Sequence, residues 1–477
     1  MRTSDLIQVS EGCHEIPAAG GMNVPARIFA GRALLEEMDE KVREQITNVA
    51  RLPGIVKAAC AMPDAHWGYG FPIGGVAAFD PAEGGVISMG GIGYDISCGV
   101  RTLRTGLSEE EVAPRLEKVA TTLFERVPAG VGSEGKIRLD RKGLDRVLLG
   151  GGRWAVEQGW GEPDELEFVE ERGCMGGADP GAVSDTAKSR GLNQIGTLGS
   201  GNHYLELQVV EEVFDPAAAS AFGIAPGEVL LSLHCGSRAL GHQVATDYQR
   251  ELAKASKRLA LALPDRELVC APIDSPEGRR YFGAMVAAVN GALANRQVIA
   301  ALAARAFREV FPQARVRILY DVSHNTCKVE EHSVDGGRRR RLWVHRKGAT
   351  RAFGPGHPDL PASYRDVGQP VLVGGTMGTA SYVLAGTAAS AGLAFASACH
   401  GAGRAMSRTE ALRNWRGERV ERELAARGIV IKGHSLRGLA EEAPGAYKDI
   451  RAVAEATERA GLARKVARLR PIGCVKG

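Results

Sequence analysis

Between Gly90 and Gly99 the chain reads Gly-Gly-Ile-Gly-Tyr-Asp-Ile-Ser-Cys-Gly. A run this rich in glycine cannot pack a helix or strand face, because glycine has no side chain to bury. It suits a sharp turn whose backbone comes close to something else. From it hang one carboxylate and one thiol, Asp95 and Cys98, a pair suited to a divalent metal if other segments add ligands. Three histidines share one setting: His203 follows Gly-Ser-Gly-Asn, His234 ends the apolar run 229–233, and His324 lies just past the run 316–322. Strand ends offer a rigid scaffold beside an open loop, which is where chemistry is commonly placed. Taken singly, each histidine reads more simply as a hydrogen-bonded core residue; the shared setting is what favours a ligand. Thiolate and imidazoles suit Zn²⁺, Fe²⁺ or Mn²⁺, and a carboxylate moves the preference towards harder ions. An Asp/Cys/His₃ set exceeds the four ligands of a closed structural zinc. Two ions sharing a bridging thiolate would use it fully, and ions about 3.5–4 Å apart are typical of phosphoryl chemistry.

His400 stands apart. It lies between the Ala/Gly/Ser-rich run 385–399, which the composition predicts to be helical, and the turn Gly401-Ala402-Gly403, with Arg404 and Arg408 following. A histidine on a glycine turn amid guanidinium groups is poised against phosphate rather than metal. Histidine can act as a covalent nucleophile, and arginines stabilise charge developing on phosphoryl oxygens. The plain alternative is a helix-capping histidine.

The elements that must position these residues follow from periodicity and punctuation. Residues 1–30 read as short extended pieces, and 34–50 as a helix ending before Pro53-Gly54. From 58 to 100, short apolar runs alternate with Gly and Pro, as strands and loops do. Ser108 followed by Glu111 has capping-box form and opens a helix to about Arg126. Residues 127–187 read as irregular, with a helix near 142–158. Residues 193–207 form a second glycine-rich loop feeding an alternating strand, and 281–311 carry the longest helical pattern, stopped by Pro312. Residues 374–381 and 400–404 are further glycine-rich loops, with helices expected to dominate beyond them. No linker or repeat separates these pieces, and motif residues lie at both ends. An α+β chain of interlaced mixed sheets and surrounding helices, with 1–477 as one catalytic domain, is expected.

Composition narrows the classes. Glycine accounts for 61 of 477 residues, well above the usual ~7%, but without a period, so collagen-like and low-complexity readings fail. No uninterrupted apolar run reaches the ~18 residues that would span a bilayer, and the start lacks the apolar core of a signal peptide. A cytoplasmic protein with no membrane partner is expected. The nine cysteines include no CxxC pair, which argues against a zinc ribbon or a thioredoxin-type motif and for mostly buried, reduced thiols. Net charge is +4, unevenly placed: the last 78 residues carry 17 Lys/Arg against 9 Asp/Glu. The block 338–351 holds seven Lys/Arg and no acid. Such asymmetry suits a polyanionic partner, although a solvated charged face is the commoner cause.

Six segments in order carry a resemblance: Met62-Pro63-Asp64-Ala65-His66-Trp67-Gly68-Tyr69-Gly70-Phe71-Pro72-Ile73-Gly74-Gly75, then 93–101, Gly199-Ser200-Gly201-Asn202-His203, Ser323-His324-Asn325, His345-Arg346-Lys347-Gly348-Ala349-Thr350, and 400–404. Over essentially its whole length the chain resembles the RtcB family of GTP-dependent RNA-splicing ligases. These join RNA 2′,3′-cyclic phosphate or 3′-phosphate ends to 5′-hydroxyl ends, in tRNA splicing or RNA repair. The resemblance implies an RtcB-like fold and two Mn²⁺, one held by Asp95, Cys98 and His203 and the other by Cys98, His234 and His324. It implies that His400 takes GMP from GTP and passes it to the RNA 3′-phosphate, and that Asp64 lies in or beside the metal shell and assists proton transfer. Asn202, Glu206, Thr376, Ser381, Gly401, Ala402, Gly403, Arg404, Tyr447 and Lys476 would hold the nucleotide, with Glu206 reading the guanine edge. Arg190, Arg238, Lys347 and Arg408 would meet RNA phosphates, and archease is an activating partner for some members. Two positions depart from the family pattern: Thr376 stands where serine is usual, keeping the hydroxyl, and Cys235 stands beside His234 where serine is usual, adding a second thiol near the metals. A two-metal phosphoesterase or cyclic phosphodiesterase would use the same five ligands without needing His400. A non-catalytic RNA-binding protein would need only the basic C-terminal part.

Overall fold

In a computed structural model of the chain, residues 1, 6–334 and 337–477 are described. Two large sheets dominate. One has the spatial order Arg317–Ser323, Gly99–Ser108, Glu228–Cys235, Tyr204–Val213, Ala463–Lys476, Ser381–Gly386, Pro370–Val373, with Val430–Gly433 added parallel to Ala463–Lys476. The other runs Ile7–Ser10, Cys13–Ile16, Ala26–Phe29, Ile55–His66, Ile73–Phe79, Arg338–Lys347, Asn325–Val334. Within the second sheet only Ala26–Phe29 and Ile55–His66 pair in parallel. The last long strand lies between Tyr204–Val213 and Ser381–Gly386, so the C-terminus completes a sheet begun near residue 99. Helices and mixed sheets interleave along the chain, as an α+β fold requires.

The apolar runs around residues 230 and 320 become strands because both of their faces are covered: Leu231 and Leu233 pack into one buried cluster, Leu230 and Leu319 into another. The longest helix, Pro276–Val310, opens on the Ser275 side chain accepting from Gly278 N. It packs against Arg141–Glu157 and Arg238–Arg258. By length and composition it could cross a membrane, but 94% of its most apolar stretch is buried inside the fold. It is the core helix of this protein, apolar nearly all round because it is enclosed all round.

Several sequence expectations needed correction. The helix over 34–50 is two helices, Arg32–Glu37 and Glu40–Val49, because Asp39 turns extended and its carboxylate caps the second by accepting from Lys41 N. The Ser108 capping box forms, but Pro114 divides the helix behind it into Glu109–Val112 and Leu116–Arg126, joined by one 3₁₀ turn. The run 385–399 is not one helix. It is the end of strand Ser381–Gly386, a short helix Ala388–Ala394 capped by Thr387, and strand Ser397–Cys399 paired with Ala349–Arg351. Small residues fit all three settings, and Phe395 and Ala396 adopt left-handed backbone that ends the helix. The basic block 338–351 is largely strand, and its charges are partly used internally. Arg346 is buried on Glu330, Arg351 on Glu170 and Glu171, and Arg340 meets Asp80 and Glu83.

Beneath the strand ends lies a fully buried cluster in which Arg101 and Arg296 share Asp321. Arg101 Nε donates to Asp321 Oδ2 at 2.7 Å, and Arg296 grips both carboxylate oxygens at 2.9 Å. Burial pushes the Asp321 carboxyl up, but the two guanidinium groups outweigh it and hold it below the usual range. Arg296 also donates to Ser97 O and Cys235 O, so the cluster props the loop that carries Asp95 and Cys98. Removing one partner of a buried pair leaves charge unpaired, at a cost of about 3–5 kcal/mol. Asp321→Ala is therefore expected to lower the urea midpoint by at least that free energy with the m-value unchanged; a loss below about 1 kcal/mol would contradict this account.

Candidate active site

The Gly90–Gly99 turn is held from several sides. Ser97 sits at φ 54°, left-handed backbone that costs a non-glycine residue. Three bonds fix it there: Ser97 N donates to Asn325 O at 2.8 Å, Arg296 donates to Ser97 O at 2.6 Å, and Ser97 Oγ meets Ser323 Oγ at 3.1 Å. Asn325 Nδ2 also donates to Asp95 O at 2.9 Å. Asp95 and Cys98 thus point at the ends of neighbouring strands, where His203, His234 and His324 arrive. Gly236 permits the approach, since a Cβ there would lie 2.4 Å from Asp95 Oδ1.

All five sequence-predicted ligands meet. Cys98 Sγ lies 3.1 Å from His234 Nε2 and 3.3 Å from His203 Nε2. His234 Nε2 is 3.1 Å from His324 Nε2, and His203 Nε2 is 2.8 Å from Asp95 Oδ2. The donors form two groups, Asp95/Cys98/His203 and Cys98/His234/His324, sharing Cys98. His234 Nδ1 donates to Asn202 O at 3.0 Å, which leaves its Nε2 lone pair facing Cys98 and His324. Burial, reinforced by His203, holds His234 well below the ordinary histidine range and therefore neutral, as a ligand must be. Convergent lone pairs on buried atoms are a poor arrangement for protein alone and a good one for cations. Each of the two groups could hold a metal ion, and Cys98 would be common to both. Burial, with Asp95 adding, pushes the metal-free Cys98 thiol up to about 12, so ion binding there must displace a proton.

Beside this cluster stands His400, its ring centroid 4.7 Å from that of His324. Its Nδ1–H donates to Asp64 Oδ2 at 2.6 Å, and the same oxygen accepts from His400 N at 3.1 Å and Gly401 N at 3.2 Å. Asp64 is wholly buried. Burial pushes its carboxyl up, yet attraction and hydrogen bonds from His400 outweigh this and hold it below the usual range. The carboxylate fixes the imidazole tautomer, leaving Nε2 unprotonated in the neutral ring. The turn after His400 needs Gly403: its φ is 72°, and a Cβ would sit 2.1 Å from Asp64 O.

A cavity of about 820 Å³ opens over both features. Asn202, Glu206, Thr376, Gly401, Ala402, Gly403, Arg404, Tyr447 and Lys476 line it, with Lys347 and Arg408. Glu206 is buried, and burial raises its carboxyl to about 7. Lys476 donates to Gly201 O at 2.9 Å. The fit is uneven elsewhere. Ser381 does not line the cavity; its hydroxyl accepts from Gly375 N and Gln208 Nε2. Lys347 is buried, donates to Tyr69 O and Phe71 O, and is lowered by burial to about 7. Arg190 and Arg238 lie outside the cavity lining, the first donating to Gln243 and the second to Thr197 Oγ1 and Gly130 O.

Sequence reasoning missed Glu442, the buried carboxylate that accepts from Arg404, Arg408 and Tyr447 OH. Arg404 also stacks over the Tyr447 ring at 4.9 Å. Lys448, donating to Ala65 O, was missed as well. Nothing in their spacing marks them; each follows its partner by an unrelated stretch of chain. Cys235, flagged for its thiol, is buried, with Sγ 3.4 Å from Asn295 Nδ2 and 3.9 Å from His203 Nδ1.

Comparisons with known proteins agree over the same span. The family described as tRNA-splicing ligase RtcB matches residues 45–477. A Thermococcus kodakarensis protein named tRNA-splicing ligase RtcB is 54% identical over 461 residues, covering 96% of this chain and 95% of that protein. The protein of that name from Methanococcus maripaludis is 48% identical, covering 99% of this chain and all of the relative. One from Mycobacterium tuberculosis, named RNA-splicing ligase RtcB, is 55% identical over 438 residues, covering 91% of this chain and all of the relative.

Proposed function

The chain belongs to the RtcB family and is an RNA ligase, and from that premise we propose that it seals RNA 3′-phosphate or 2′,3′-cyclic phosphate ends to 5′-hydroxyl ends through GMP carried on His400. The observation that supports this reading most is the Asp64–His400 clamp beside the five-ligand cluster, with Nε2 open to the cavity. In the first step Nε2 attacks the α-phosphorus of GTP, a P–N bond forms, the bond to the bridging oxygen breaks, and pyrophosphate leaves. Asp64 holds the Nδ1 proton and stabilises the imidazolium that results. The RNA 3′-phosphate oxygen, present already or produced when water breaks the P–O2′ bond of a 2′,3′-cyclic phosphate, then attacks the same phosphorus and frees His400, giving RNA-ppG. Attack of the 5′-hydroxyl on the RNA phosphorus expels GMP and completes the junction. Two Mn²⁺, held by Asp95, Cys98, His203, His234 and His324, would neutralise charge on the phosphoryl oxygens. The substrates are RNA ends such as tRNA halves or cleaved RNA, archease is a candidate partner because it activates some members of the family, and residues 1–477 work as one domain in the cytoplasm. The late strand Ala463–Lys476 inside the first sheet supports the single domain, and nine free cysteines suit a reducing compartment.

A metal-only phosphoesterase would leave a buried aspartate bracing a histidine with no task. The deciding measurement is incubation with Mn²⁺ and α-labelled GTP. Acid-labile label on the protein is expected; its absence from a metal-loaded, folded sample would leave the phosphoesterase.

Glu206 supplies a separate prediction. Its ionised carboxylate can accept from guanine N1–H and N2–H, whereas adenine N1 is itself an acceptor. Each such charge-assisted bond contributes about 1.5–3 kcal/mol. Glu206→Gln is expected to raise KM for GTP about 10–100-fold and to narrow the GTP/ATP ratio. With the carboxyl raised by burial to about 7, the accepting form is lost as pH falls through that value, so GTP affinity should weaken below pH 7 in the parent and not in the variant. Equal pH dependence in both would overturn the assignment.

A further inference from the structure

A second cavity, about 900 Å³ and open to solvent, lies at the far ends of the strands that deliver the ligands. Gly99–Ser108 starts beside Cys98 and ends in it at Ser108; Glu228–Cys235 and Arg317–Ser323 begin in it and end beside His234 and His324. At ~3.3 Å per residue, Arg104 and Arg317 are roughly 20 Å from the ligands at the other end of their strands. Four arginines face it: Arg104, Arg308, Arg315 and Arg317.

Their arrangement is unfavourable for the protein alone. Arg104 and Arg317 stand directly opposite on paired antiparallel strands, where like charges repel. Arg315 immediately precedes this strand, its backbone N bonded to Thr105 O. Among the described residues no carboxylate pairs with any of the four within 4.0 Å. Of the two acids in the cavity, Glu111 accepts from Ser108 N and Glu228 from Gly106 N, with Arg104 attracting the Glu228 carboxylate at longer range. Arg104 and Arg308 are partly anchored by donating to the carbonyls of Gly223 and Val316, while Arg315 and Arg317 are exposed.

We propose that this arginine cavity is a second phosphate-binding site, which holds the backbone of the RNA substrate about 20 Å from the junction. Forked guanidinium groups match phosphate oxygens, and an anion between Arg104 and Arg317 would relieve their repulsion. The open shape admits a running strand; because positions 318–323 of the edge strand Arg317–Ser323 are buried, that RNA would reach the active site over the protein surface rather than along the sheet edge. The choice of RNA rests on the ligase activity; the preference for an anion rests on the arginines alone.

The test compares the parent protein with Arg315→Ala/Arg317→Ala and the charge-keeping Arg315→Lys/Arg317→Lys. Guanylylation by GTP, which uses no RNA, should be equal in all three and reports an intact ligase site. Joining of short oligonucleotides that cannot span about 20 Å should also be equal. For long RNA the alanine variant should show KM raised severalfold to about tenfold, and a slope of log K against log salt reduced by about 1.4–1.8, from ~0.7–0.9 for each of two phosphate contacts. The lysine variant should recover most of both. Unchanged KM and salt slope for long RNA would overturn the proposal. Tripolyphosphate binding that is lost in the alanine variant, with long-RNA joining unaffected, would instead assign the cavity to a small polyanion. Absence of guanylylation in the parent would count against the ligase mechanism and leave the anion site to be judged by direct RNA binding.

Discussion

His400→Ala is expected to bring labelling of the protein by α-labelled GTP to background and to lower RNA joining by about 10⁶-fold, the scale of loss when a covalent nucleophile is removed. The fold should survive. The side chain is only part-buried, and Asp64 Oδ2 keeps two backbone donors, at positions 400 and 401. Metal content and RNA affinity are therefore expected to match the parent, which separates a lost nucleophile from a collapsed site. Asp64→Asn gives the complementary result. The amide retains the shape, and its oxygen still accepts from the two backbone N–H groups and from Nδ1–H, but the negative charge that stabilises the imidazolium is gone. The cost should stay below the roughly 10⁴-fold of triad aspartates, where the tautomer is also lost, with labelling slow rather than absent. Undiminished label on His400→Ala would place the nucleophile elsewhere and end the mechanism proposed above.

The parts of this site that the sequence showed are those with a one-dimensional signature. Apolar runs ending on His234 and His324 read as strands because both of their faces are buried, and the glycine turn at 90–99 read as a close approach because only small residues permit one. Asp64 and His400 were visible as motif residues, yet their bond at 2.6 Å was not, since it joins strand Ile55–His66 to a turn more than 300 residues later. The same holds for Arg296, Asp321 and Arg101, and for Glu442 beneath Arg404 and Arg408. A buried ion partner is selected by three-dimensional proximity and leaves no spacing pattern. The run 385–399 failed for the opposite reason: alanine, glycine and serine satisfy helix, turn and strand alike, and pairing with Ala349–Arg351 decided its last three residues. Arginines 338–351 were legible as charge but not as to its use, because Glu330, Glu170 and Glu171 come to Arg346 and Arg351 only in the folded chain.

Cys98→Ala should be the most damaging change among the ligands, and the two overlapping groups say why. The Cys98 sulfur belongs to both, whereas Asp95 and His203 belong to one and His234 and His324 to the other. Losing Asp95 leaves Cys98/His234/His324 complete; losing Cys98 leaves two ligands on each side. Equilibrium dialysis against Mn²⁺ should find two ions on the parent, one tightly held ion on Asp95→Ala, and none on Cys98→Ala at concentrations that saturate the parent. An affinity loss well beyond about 100-fold is expected, since changes outside the ligand shell alone cost about 10–100-fold. Labelling by GTP should fall to background in Cys98→Ala. Stability should be nearly kept in metal-free buffer, because alanine removes a buried thiol that bonds to His203 and His234, and two imidazoles crowded at 3.1 Å gain room. Two ions retained by Cys98→Ala, or equal losses from Cys98→Ala and Asp95→Ala, would show that the sulfur does not bridge. The glycine turn would then carry two independent ligands rather than the hinge of one binuclear centre.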